Sequence, residues 1–191
     1  MSKEQSLGSL LSPQSSSFIA RIHASPTMMV LVVTGGGSQA LADLLAVPGA
    51  SRTVLEALVP YSAQSLVEFL GSPPTQAVSV ATAAALAQAA YRRAVLLRAD
   101  EATPLFGLSC TATLVTNRPK KGAHRAYIGL STGTYTHVHA LTLQKGARDR
   151  QGEERVVSDL LLRICAEACG IKVTKSFPLL PEEQLTVEDV W

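Results

Sequence analysis

Aromatic residues are scarce. Phenylalanine, tryptophan and tyrosine make up 5% of the 191 residues, too few for the stacking platforms that hold single-stranded nucleic acids. An excess of one charge is missing too. Seventeen Lys and Arg stand against 15 Asp and Glu, for a formal net charge of +2. That argues against nucleic acid and against an anionic membrane surface as partners. No apolar run reaches the roughly 18 residues of a membrane span. The opening stretch, MSKEQSLGSLLSPQSSS, has neither the long apolar centre of a secretory signal nor the arginines of an organelle-targeting peptide. Residues 1–12 are expected to be a flexible tail. The three cysteines, Cys110, Cys165 and Cys169, are odd in number and widely spread. This is no disulfide framework, and it fits a reducing, cytoplasmic setting. Cys165 and Cys169 share a helix face, but no nearby histidine completes a metal site, so all three read as small buried hydrophobes.

Apolar residues are plentiful, at 47%, ample for the core of one domain. TMMVLVVT (27–34) is a continuous apolar run ended by glycine, as in a strand buried on both faces. SQALADLLAV follows as a helix with Ser38 as its expected N-cap. A strand is expected in RTVLEALVPY. A short helix, SAQSLVEFLG, is capped by Ser62 and stopped by Gly71. The alanine-rich helix SVATAAALAQAAYRRAVLLR is capped by Ser79. FGLSCTAT is a second apolar strand. AYIGLSTG and YTHVHALTLQ read as an antiparallel hairpin. DRQGEERVVSDLLLRICAEACG is a long helix ending at Gly170. Before the first strand, Phe18, Ile19 and Ile22 have helical spacing up to Pro26. Residues 173–191, with two prolines and an acidic finish, are expected to be a tail or linker. Strand–helix–strand order plus a hairpin predicts an α/β, three-layer α/β/α fold with a mixed sheet.

Three features bear on chemistry. In TGGGS (34–38), Gly35, Gly36 and Gly37 let backbone approach a ligand, and the following helix start offers free N–H groups to an anion. The spacing matches neither the dinucleotide nor the Walker fingerprint, and a plain tight turn explains the same residues. In TNRPKKGAHR, Arg118, Lys120, Lys121, His124 and Arg125 suit phosphate, or form a solvated loop. In CTAT (110–113), small hydroxyl residues including Thr111 sit where a ligand meets the carboxyl edge of a sheet, or fill tight packing. His137 and His139 share a strand face but lack a third ligand, so no metal is expected.

VPGAS (47–51) and YS (61–62), with FLG (69–71), AVS (77–79) and IGL (128–130) in order behind them, resemble the C-terminal domain of the competence/damage-inducible protein CinA family. The resemblance spans roughly residues 15–172, with the domain placed at 13–172. It implies the CinA C-terminal-like fold. Members of that family include nicotinamide mononucleotide deamidases, which hydrolyse the carboxamide to the acid and ammonia with no cofactor. The implied site has a nucleophile in the Gly-rich turn and a lysine base after the Tyr-Ser pair, following the logic of an activated hydroxyl, with backbone N–H groups as the oxyanion hole. Counting from VPGAS places Thr34 at the family's serine. Counting from Tyr61 and Ser62 places Leu66 at its lysine.

Two functions follow from the resemblance. One is an amidohydrolase of NAD metabolism with Thr34 or Ser38 as nucleophile, Lys120 or Lys121 as replacement base, and Arg125 on the phosphate. The other is a nucleotide-binding or regulatory protein that has lost the reaction. In both, Gly35, Gly36, Gly37, Tyr61, Ser62, Thr111, Lys120 and Arg125 are expected to contact a small-molecule nucleotide. A homo-oligomer and a nucleotidyltransferase-like partner domain are also compatible with it.

Overall fold

The computed structural model describes residues 13–118, 121–174 and 176–190. The expected tail at 1–12 lies outside them. The elements are α1 (Pro13–His23), β1 (Met28–Thr34), α2 (Ser38–Ala46), a short 3-10 turn (Ala50–Arg52), β2 (Val54–Leu58), α3 (Ala63–Leu70), α4 (Val80–Leu97), β3 (Leu105–Thr113), β4 (His124–Ser131), β5 (Thr136–Leu143), α5 (Arg150–Ala168) and β6 (Gln184–Val190). The strands form one sheet in the order β2-β1-β3-β4-β5-β6. β1 is parallel to β2 and β3. β4, β5 and β6 each run antiparallel to the strand before them.

The sheet lies between two helical layers, as the alternation of strands and helices predicted. On one face, Met29, Leu31, Phe106, Leu108 and Ile128 pack with Ile19 and Ile22 of α1, Leu44 of α2 and Leu161 of α5. On the other, Val30 and Val32 pack with Leu66 of α3 and Leu86, Ala90 and Ala94 of α4. The five inner residues of β1 are buried, because helices cover both sides of a central parallel strand. α4 starts at Ser79, whose hydroxyl accepts from the Thr82 N–H at 3.2 Å. Its alanines let it lie close to the sheet: Ser109 Oγ donates to the Ala83 carbonyl at 2.7 Å. α3 is capped by Ser62 and closed by Gly71 at φ 82°, as expected.

Residues 184–190 depart from the expected tail and form β6, the sixth strand. Glu183 anchors it. Its buried carboxylate accepts from Arg148, at 3.2 Å for the Nη2–Oε2 contact, and from the N–H groups of Leu180 (2.9 Å) and Gln144 (3.2 Å). Burial pushes this carboxyl up, but Arg148 and the two N–H groups outweigh that and hold it below the usual range. β6 is exposed along most of its length, so it carries no strong apolar alternation by which a sequence reveals a strand.

His137 and His139 face the same side of β5, opposite Asp189 and Val187 of β6. His137 bonds to Asp189 and packs against the Tyr135 ring at 4.5 Å. Among the described residues, no group of three His, Cys, Asp or Glu is arranged to hold a metal ion. Burial, with a smaller contribution from His137, lowers the His139 pKa to about 4. The unfolded chain takes up this proton near pH 6.5. Stability is therefore expected to be full above pH 6.5 and to fall as the pH drops toward 4. The loss from this group is on the order of 3 kcal/mol. Denaturant melts across that range should show the slope, and His139→Asn should flatten it.

Candidate ligand-binding site at the carboxyl edge of the sheet

The turn between β1 and α2 is built by packing before it is built for any ligand. Gly35 (φ 75°) and Gly37 (φ 89°) hold the left-handed conformation that favours glycine. A Cβ on Gly35 would stand 2.1 Å from the Ala112 carbonyl oxygen, and one on Gly36 would meet Leu114 at 2.8 Å and Ala112 at 3.0 Å. The end of β3 thus runs directly beneath the turn. Gly37, not Ser38, is the N-cap of α2, and it offers no side chain. The cap comes from α5. Glu154 Oε1 accepts from Ser38 Oγ at 2.9 Å and from the Gln39 N–H at 3.2 Å. A carboxylate of the chain itself therefore takes the place at the helix start where an anion would be favoured. Arg150 closes the arrangement, donating to the carbonyls of Gly35 (3.0 Å) and Val115 (3.3 Å). Beside it, the buried Glu153 carboxylate accepts from the Val115 N–H at 2.7 Å and pairs with His124 Nδ1 at 2.6 Å.

The opposite face of the same edge carries a different set. Strand register aligns Thr34 with Thr111, Thr111 with Tyr127, and Thr113 with Arg125. Side chains alternate along strands, so these five share the face that α4 covers. α4 runs down from this edge. Thr111 is fully buried and donates to the Ala77 carbonyl at 2.7 Å, tying down the loop before α4. The Thr34 hydroxyl is partly buried, with no hydrogen bond to it among the described residues. Arg125 lies over the Tyr127 ring at 5.8 Å. Among the described residues its buried Nε has no hydrogen-bond partner and its guanidinium is in no ion pair.

The expected site residues therefore divide. Thr34, Thr111 and Arg125 come together on the α4 face. Ser38 points to the α5 side, held by a carboxylate rather than a lysine. Gly35, Gly36 and Gly37 lie between the two. Ser62 is occupied in capping α3, with the Ser65 N–H at 3.1 Å. Tyr61 is exposed. Leu66 is 5% exposed, packed in the core with Val30 and Leu86. Lys120 lies outside the described residues. Lys121 is exposed, and its carbonyl accepts from Lys145 at 3.3 Å. Arg118 is exposed too, while His124 of the same basic stretch is buried. Sequence reading missed Arg150, Glu153 and Glu154. Their only signal was an RQGEER helix start, which reads equally as a solvated first turn.

The sequence matches no protein-family model and no curated protein. Solved structures do match. The competence/damage-inducible protein CihA from Agrobacterium tumefaciens is 18% identical, with a TM-score of 0.62, over 84% of this chain and 98% of that one. A CinA-superfamily protein from Klebsiella pneumoniae is 10% identical, with a TM-score of 0.62, over 82% and 96%. One from Escherichia coli is 15% identical, with a TM-score of 0.54, over 88% and 96%. The strand order, the two helical layers and these superpositions agree: the chain has the fold of the CinA-superfamily proteins.

Proposed function

We propose that this chain binds a small phosphate-bearing nucleotide of the pyridine class at the carboxyl edge of its sheet, without hydrolysing it. The observation that carries this reading is Arg125. A guanidinium with a buried nitrogen unpaired among the described residues, on the same sheet face as Thr34, is costly unless an anion satisfies it. A phosphate accepts from that fork while the Thr34 hydroxyl donates to another of its oxygens. Leu66 argues against hydrolysis. At the position where the resemblance puts a lysine base, an apolar side chain is packed into the core, and a hydroxyl without a base is a poor nucleophile. Among the described residues neither Thr34 nor Ser38 is hydrogen-bonded to a lysine.

The amidohydrolase reading keeps one observation in its favour. Thr34 stands at the aligned nucleophile position with its hydroxyl unengaged. The experiment that tests both is thermal melting with nicotinamide mononucleotide, beside an assay for released ammonia. Binding without hydrolysis predicts a raised melting temperature and no ammonia. Arg125→Ala should then weaken binding roughly tenfold or more, the worth of a charge-assisted hydrogen bond. Ammonia release that vanishes in a Thr34→Ala, Ser38→Ala double variant would establish the hydrolase instead. Neither stabilisation nor ammonia would overturn both readings.

A further inference from the structure

A cavity of about 350 Å³ lies on the other side of the molecule from Arg125, between α1, α2, α5 and the segment after α5. Its volume is in the range of small-ligand sites, which combine apolar walls with a few polar groups. Phe18, Ile19, Val156, Leu162 and Phe177 supply the apolar wall.

Two carboxylates reach this cavity, and they differ. Asp43 of α2 is satisfied, accepting from Arg155 Nη1 at 2.8 Å and from Gln39 Nε2 at 2.6 Å. Asp159 of α5 has no hydrogen bond and no ion pair among the described residues. Its side chain is exposed at the rim, where the crowding of neighbouring protein, opposed by Arg155 and reinforced by Asp43, raises its pKa. The one cation on the lining, Arg163, lies over the Phe177 ring at 5.6 Å. Asp159 is therefore the one carboxylate of the lining with no partner among the described residues, exposed at the rim of an apolar chamber.

We propose that this cavity binds a compact organic ammonium, its apolar body between Phe18, Leu162 and Phe177 and its cationic head on Asp159. Charge complementarity selects this class. A carboxylate ligand would meet Asp43 and Asp159, against one cation, Arg163, that is stacked on Phe177. A neutral one would leave Asp159 as it stands. The site shares no residue with the proposed nucleotide site, so the two can fail separately.

The test is a nuclear magnetic resonance titration of the full chain with three probes of one shape: 2-phenylethylammonium, 2-phenylethanol and 3-phenylpropionate. The ammonium is expected to bind saturably, with amide shifts concentrated at α1, α5 and Phe177. It should bind about three- to fivefold tighter than the alcohol, the worth of a partly exposed ion pair, and the carboxylate should bind weakest. Asp159→Asn should abolish the preference for the ammonium. Val156→Trp, which fills the chamber from a partly buried position on its α5 wall, should abolish binding while the melting transition stays cooperative. Equal affinity for all three probes, a preference that survives Asp159→Asn, or shifts centred elsewhere would each overturn the proposal.

Discussion

Gly107→Ala is expected to lower the unfolding free energy by about 3 kcal/mol or more, at the upper end of what overpacking costs. For a chain of this size that is a fall of roughly 6–12 °C in melting temperature. The reason is backbone meeting backbone. A Cβ on Gly107 would lie 2.1 Å from the Ala87 carbonyl oxygen and 2.2 Å from the Tyr91 nitrogen. Neither atom can turn aside as a side-chain end does, so α4 must lift from β3 along its middle. That movement would also strain the Ser109 bond to Ala83 and the burial of Ala87 and Ala90. Gly129 has the same function one turn earlier on α4, where a Cβ would stand 2.5 Å from the Ala83 carbonyl oxygen. The control is Gly122→Ala. Among the described residues nothing lies within 4 Å of its Cβ position, and its φ is not in the left-handed range, so its melt should stay within about 0.5 kcal/mol of the parent. If Gly107→Ala melts like Gly122→Ala, the close contact of α4 with the sheet is wrong.

Glu153→Ala is expected to cost about 3 kcal/mol or more, since it orphans two buried hydrogen-bonding groups at about 1–3 kcal/mol each. Glu153 is fully buried at the first turn of α5. Its two oxygens serve different partners, the Val115 N–H beyond β3 and the His124 ring at the start of β4. Truncation leaves a buried N–H and a buried imidazole without partners, and each unsatisfied group carries its own desolvation penalty. Removing both sides together should cost less than the two single losses combined, because the double variant leaves neither the imidazole nor the carboxylate without its partner. A double-mutant cycle with His124→Ala in denaturant melts measures this. Additive losses would mean that the two residues do not act as a pair. Because Val115 and Arg150 also border the glycine turn, Glu153→Ala should loosen the proposed nucleotide binding at the sheet edge as well as the fold.

Much of the architecture was legible in the residues. β1 is apolar over its whole length because both its faces are covered. Ser62 and Ser79 announced the starts of α3 and α4 because a hydroxyl that satisfies a free N–H works within a few residues of itself. Gly71 marked the end of α3 for the same local reason. β6 was not legible, because its pairing is written in backbone hydrogen bonds to β5 and in the Glu183–Arg148 contact, 35 residues apart. The start of α2 misled for a related reason. Ser38 has the right chemistry for a cap, yet the carboxylate that caps the helix belongs to Glu154, 116 residues away.

The candidate site divides along the same line. The VPGAS and YS motifs pointed to the CinA-like fold. Residue order alone also raised TGGGS and the basic stretch as places to look. Only the tertiary structure decided which of those residues face one another. Strand register put Thr34, Thr111 and Arg125 on one face and turned Ser38 toward α5. Packing made Leu66 a core residue, buried His124 against Glu153, and left Arg125 with a nitrogen unpaired among the described residues. Local propensity and periodicity are properties of neighbouring residues and survive in the sequence as pattern. The pairing of charges and hydroxyls across strands and layers depends on distances that exist only once the chain has closed on itself.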